Sequence, residues 1–107
     1  MLVREGQLDR VVVLTGPVDA ASVPDLRLKL HAAIDAAAAA DEDLIVDLAG
    51  VFVIDATGLG LLVGAHRRAS RTGCRLVLRS VPPQMSRLLR VTRLNRILHI
   101  EGPVPAV

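Results

Sequence analysis

Apolar positions in this chain fall into short β-branched runs that alternate with longer stretches at helical spacing, separated by glycine, proline or acidic turns. Val11-Val12-Val13-Leu14-Thr15 is one such run, stopped by Gly16-Pro17, and Leu2-Val3-Arg4 lies just before it across Glu5-Gly6-Gln7. Together they predict an N-terminal hairpin that feeds a buried strand. Ser22 followed by Asp25 resembles a capping box, and Pro24 sits where a first helical turn tolerates its missing N–H, so a helix is predicted to begin there. Leu26, Leu30, Ala33, Ile34 and Ala37 share one face of it, and the alanines from Ala36 to Ala40 extend it to a turn at Asp41-Glu42-Asp43.

Leu44 to Leu48 shows little alternation, as expected of a strand covered on both faces. A short loop and a glycine-bearing helix follow, the helix running to about Thr72 and stopping at Gly73. A strand from Cys74 to Leu78 comes next, then a helix starting between Ser80 and Pro83 that carries Met85, Leu88, Leu89 and Val91. A short strand at Ile97 to Ile100 closes the order ββαβαβαβ. Strands separated by helices imply right-handed parallel crossovers. The class is therefore α/β, a single four- to five-stranded mixed sheet with helices packed on it, in one domain over residues 1–107.

Composition narrows this picture. Phe52 is the only aromatic residue, so the core must be built from Leu, Val, Ile and Ala. The lone Cys74 cannot form an internal disulfide, and no leader pattern opens the chain, which makes a cytoplasmic location the expectation. No apolar run reaches the roughly 18 residues of a membrane span. The net charge of +2 conceals an asymmetry: ten acids against four Lys and Arg up to Asp55, then nine arginines against Glu101. Arg87, Arg90, Arg93 and Arg96 would form a basic strip if their helix ran on, either a solvated face or a docking strip for an acidic protein surface or a phosphate. No base-reading motif and no aromatic platform accompany it, which argues against direct nucleic-acid binding.

Candidate chemistry is sparse. His31, His66 and His99 lie far apart in sequence without ligand-spaced partners, and the phosphate-cradling glycine motifs and the G-x-S-x-G elbow are absent. The chain reads as a non-enzyme with no catalytic residue, no metal and no cofactor. Val53 to Gly64 stands apart. Three glycines, Gly58, Gly60 and Gly64, occupy the first turns of a helix although each interior glycine costs about 1 kcal/mol. Gly60 and Gly64, one turn apart, leave a smooth strip that serves either close packing on the sheet or approach of a partner. Asp55 and Thr57 stand where N-cap chemistry belongs.

These features together resemble the STAS domain, the fold of bacterial anti-sigma factor antagonists. Leu14-Thr15-Gly16-Pro17-Val18-Asp19 is similar to the family's L-x-G-x-[LV]-D, and Asp55-Ala56-Thr57-Gly58-Leu59-Gly60 to its D-[ST]-[ST]-G-L-G. The resemblance implies a partner, an anti-sigma factor of the histidine-kinase-like serine kinase type, whose capture releases a sigma factor. It also implies a phosphorylation that ends the binding and leaves room for a phosphatase that restores it. The implied binding residues are Asp19, Asp55, Ala56, Thr57, Gly58, Gly60 and the exposed side of the helix with Leu61 and Arg68. The protein itself would be a monomer or weak dimer, without membrane insertion.

One departure bears on the switch. The family's phosphoacceptor directly follows the signature aspartate, and here that residue is Ala56. Thr57 is the remaining hydroxyl, turned by about 100° and displaced by about 1.5 Å if the segment is helical. Three outcomes stay open: a switch at Thr57, an antagonist that is permanently competent to bind, or no relationship to a kinase. A different class, a non-enzymatic accessory subunit of a membrane lipid-transport ATPase, is the alternative function.

Overall fold

A computed structural model describes residues 10–101. In chain order the elements are β1 (Arg10–Val18), α1 (Val23–Ala39), β2 (Leu44–Ile54), α2 (Ala56–Thr72), β3 (Leu76–Arg79), α3 (Pro83–Val91), a 3-10 turn (Leu94–Arg96) and β4 (His99–Ile100). The strands lie in the order β1-β2-β3-β4 and every pairing is parallel. The expected hairpin partner, Leu2-Val3-Arg4, falls outside the described residues, so the sheet expected to be mixed is parallel throughout its described strands.

Sequential parallel strands with right-handed crossovers carry their connecting helices on one face. That face is the core. Val12, Leu14 and Val18 of β1, Leu44, Val46 and Leu48 of β2, and Leu76 and Leu78 of β3 join Leu30 and Ile34 of α1, Leu62 of α2 and Leu89 of α3 in one buried cluster. Each such leucine or isoleucine contributes about 1.5–3 kcal/mol by leaving water. Val11, Ile45 and Val77 occupy one register row on the opposite face, outside that cluster. Here Val11 and Val13 remain 45% and 48% exposed.

Four local outcomes differ from the sequence reading. Ser22 makes no side-chain cap for α1. Its hydroxyl donates to the Pro17 carbonyl at 2.9 Å and accepts the Asp19 N–H at 3.0 Å, while Asp19 Oδ1 takes the N–H groups of Ala21 and Ser22 at 3.1 and 3.2 Å. The carboxylate three residues upstream thus organises the turn. The loop expected after Leu48 is strand: β2 continues to Ile54, paired to β1 across two register shifts.

The strand expected from Cys74 begins at Leu76, because Gly73 in the left-handed region turns the chain and places the Cys74 N–H on the Ala69 carbonyl. Finally, α3 ends at Val91 and Arg93 adopts φ +63°, so the four arginines do not form one continuous helical strip. The Gly73 stop, the helical alanine run and the α1 core face are as expected.

Candidate functional site

The two motif aspartates meet because of strand register. Val18 and Ile54 are paired neighbours at the carboxyl ends of β1 and β2, and Asp19 and Asp55 follow them directly. Adjacent strands lie about 4.8 Å apart, so the two turns that leave the sheet are side by side. The Asp55 N–H donates to the Val18 carbonyl at 3.3 Å, tying one turn to the other strand's end.

Asp55 has extended geometry, φ −116° and ψ −172°, and its Oδ1 accepts the Gly58 N–H at 2.9 Å. It is an N-cap in the full sense, satisfying a helix-end donor and placing a carboxylate at the positive end of the dipole. Gly58 is buried for a separate reason. A Cβ there would overlap the Val18 carbonyl oxygen and lie 2.7 Å from Ile54 Cγ1. The first turn of α2 therefore rests on the β1 end without room for a methyl group.

Gly60 and Gly64 are different: both are exposed, and a Cβ at either would meet nothing within 4 Å. Packing on the sheet does not account for them. With Thr57 and Arg67 they follow helical spacing, so that Thr57, Gly60, Gly64 and Arg67 form an open, smooth face of α2. Ala56 is exposed at the head of the same helix.

Two residues expected on the exposed side do not lie there. Leu61 is only 3% exposed and belongs to the core cluster. It follows Gly60 by one residue, about 100° around the helix, and that rotation carries it off the open face. Arg68, seven residues beyond Leu61, turns toward α1, where its guanidinium binds Asp35 through Nε–Oδ1 at 3.2 Å and Nη2–Oδ2 at 2.8 Å. This pair lowers the Asp35 pKa, chiefly through the side-chain hydrogen bond, and raises that of Arg68. It is a brace between α1 and α2.

The site holds no paired nucleophile and base, and among the described residues no group of three potential metal ligands assembles. Its chemistry is that of a surface: two capped turns, one exposed hydroxyl at Thr57, and a glycine-smoothed helix face. The role of Ser22 in holding the Asp19 turn was missed from sequence. Its signal was the hydroxyl three residues after Asp19, at the spacing of a local side-chain bond. The projecting end of β2, with Phe52 and Val53 exposed, was also missed.

A parallel sheet with its helices on one face, and a capped, glycine-lined helix leaving the end of β2 beside that of β1, defines a single-sheet α/β domain. The chain belongs to the STAS domain family: the family model described as "Mlab, STAS domain" matches residues 1–100. It is 33% identical over 100 residues to the anti-sigma-B factor antagonist of Bacillus subtilis (strain 168), covering 94% of this chain and 88% of the relative. It is 30% identical over 89 residues to the protein of the same name from Staphylococcus epidermidis, covering 83% and 80%.

Among solved structures, the unphosphorylated anti-sigma factor antagonist SpoIIAA shares the fold with a TM-score of 0.64 and 23% identity, over 97% of this chain and 86% of that one. An anti-sigma-factor antagonist (STAS) domain protein from Planctomyces limnophilus aligns with a TM-score of 0.71 and 20% identity, over 88% and 82%. No described helix is long and apolar enough to cross a membrane.

Proposed function

We propose that the chain is an anti-sigma factor antagonist that binds an anti-sigma factor of the serine-kinase type through the start and open face of α2. The names of the Bacillus and Staphylococcus relatives support the general role. The observation that carries the binding face is the openness of Gly60 and Gly64. Two glycines in a helix interior lower its stability by about 1 kcal/mol each, and no neighbour within 4 Å needs the space. A partner's close approach accounts for what intramolecular packing does not.

Thr57 is the hydroxyl on this face and, in this reading, the group whose phosphorylation ends binding. A phosphate would add about −1.5 to −2 charges beside the Asp55 carboxylate and on an otherwise smooth contact. Asp19 shapes the adjoining turn, Gly58 seats the helix, and Ala56 contributes apolar surface. The domain itself performs no catalysis in this scheme.

The test is capture of the anti-sigma factor, followed by incubation with it and ATP. Wild-type protein should form the complex, Gly60→Gln should weaken it by on the order of tenfold or more, and mass spectrometry should place phosphate on Thr57. Unchanged binding by Gly60→Gln would remove the proposed face. A stable complex with no phosphate on Thr57 would leave a permanently competent antagonist without a switch. Recovery of a transporter ATPase and no anti-sigma factor would favour the accessory-subunit reading instead.

A further inference from the structure

A second surface, independent of the α2 reading, lies where β2 outruns its neighbour. β3 pairs with β2 only as far as Asp47 opposite Arg79, and residues Leu48–Ile54 project beyond it. Alongside this projection runs α3, and between them is a groove of about 400 Å³ walled by Phe52, Val53 and Ile54 on one side and Met85, Leu88 and Val91 on the other. Phe52, the only aromatic of the chain, is 68% exposed, and Val53 and Val91 are 51% and 74% exposed. Consecutive strand residues ordinarily point to opposite faces. Here Gly16 pairs with Val51 and Pro17 with Val53, which leaves Phe52 as the extra residue of a bulge and allows it and Val53 both to emerge.

The charged side chain that lines the groove is a cation. Arg87 lines the groove and Arg90 stands one turn further along α3, within a segment from Ser80 to Ile100 that has four arginines and no carboxylate. Asp55, which follows Ile54 directly, is not among the lining residues and turns its Oδ1 to the Gly58 N–H of α2. We infer that this groove docks an amphipathic helix of a partner protein, with apolar side chains seated between β2 and α3 and Asp or Glu residues facing Arg87 and Arg90.

Three observations select that occupant. A small ligand would need several polar groups converging on it, whereas the lining is mostly apolar and its polar side chains, Gln84 and Arg87, both come from α3. An added β-strand needs evenly spaced ladder groups, and the Phe52 bulge interrupts them. A second copy of the chain, meeting this one groove to groove, would bring arginine rims together without a compensating acid. A helix reading i, i+3, i+4 and i+7 positions into an apolar groove meets none of these objections.

The test uses two synthetic amphipathic peptides of about 18 residues, long enough to form a helix on contact. They share one leucine stripe and differ only in bearing Glu or Lys on the flanks. In titrations followed by amide NMR, the Glu peptide should shift Phe52, Val53, Leu88 and Val91 and bind on the order of tenfold tighter than the Lys peptide. R87E/R90E should invert that order, and F52S, at an exposed position, should weaken both while leaving the thermal midpoint in place. Equal binding of the two peptides, shifts located elsewhere, an extended bound peptide, or self-association through the groove would each overturn the inference. The α2 reading survives any of these results, because it is tested by the anti-sigma factor and Gly60.

Discussion

The start of α2 and the whole of α3 both follow a strand on the same face of the sheet, yet they are specified to very different degrees. At α2, the entering carboxylate caps the Gly58 N–H, the glycine beneath it has no room for a side chain, and Gly73 in the left-handed region closes the far end. At α3, entry is by two prolines with no side-chain cap, and the exit forces Arg93 into the left-handed region without glycine's freedom. Exposed apolar side chains gather beside it. One region carries backbone geometry that few residues satisfy. The other is held mainly by Met85 and Leu89 in the core, and packing within the domain does not fix its outer surface.

The sharpest way to break this contrast is at Gly58. Gly58→Ala must push the first turn of α2 away from the Val18 carbonyl, and overpacking against backbone should cost about 2–3 kcal/mol, read as a fall in the denaturant midpoint. Asp55→Ala removes the cap and should cost about 1 kcal/mol, whereas Asp55→Asn retains an accepting oxygen and should be nearly silent. Gly60→Ala should move the other way. It gains about 1 kcal/mol of helix stability, having open space for its methyl group. If the α2 face is the binding surface, the same substitution weakens partner capture, so stability and binding separate.

The open end should respond more weakly. Arg93→Gly relieves a left-handed conformation that costs an ordinary residue about 1 kcal/mol, offset in part by the greater freedom of glycine in the unfolded chain. A net gain of about 0.5 kcal/mol in chemical denaturation is expected. A loss would mean that the Arg93 side chain holds the turn in some way that its backbone geometry does not reveal.

The same contrast explains what was legible in the sequence. Strand–helix order, the Asp19 and Asp55 motifs, the α1 core face and the Gly73 stop rest on local rules of period, capping and turn chemistry, which the residues themselves express. The extension of β2 past Leu48 was hidden because Ala49-Gly50 looks like a loop. Only pairing with β1, through two bulges, makes it strand. The glycine stripe points to Leu61 as an exposed neighbour only if the rotation of about 100° between adjacent helix residues is neglected. Arg68 looked free because its partner, Asp35, is remote in sequence and adjacent only once α1 and α2 pack. The arginine strip failed at Arg93, where tertiary context ends the helix despite the periodicity of the charges.

Away from both regions, His66 of α2 and His99 of β4 stand with their rings 5.5 Å apart. Nδ1 of His66 is buried with no hydrogen-bond partner, and burial, then the neighbouring His99 and Arg67, lowers its pKa below the usual 6.5. His31, on α1 one turn before Asp35 of the Arg68 brace, is shifted in the same direction, chiefly by burial and then by Arg68 and Arg27. A histidine with a depressed folded-state pKa binds its proton more readily when unfolded. The stability it contributes is therefore complete above the unfolded value of 6.5 and declines as pH falls through that value toward the folded one. Asp35 and Asp47 are depressed as well, but their contributions fade only as pH falls below 3.8, outside this window. Denaturant midpoints measured between pH 7.5 and about 5 should thus decrease with acid. In His66→Gln the decrease should be shallower and not absent, because His31 still titrates. A slope unchanged by His66→Gln would show that the α2–β4 contact accepts a charged imidazole, and would make that junction as permissive as the surface of α3.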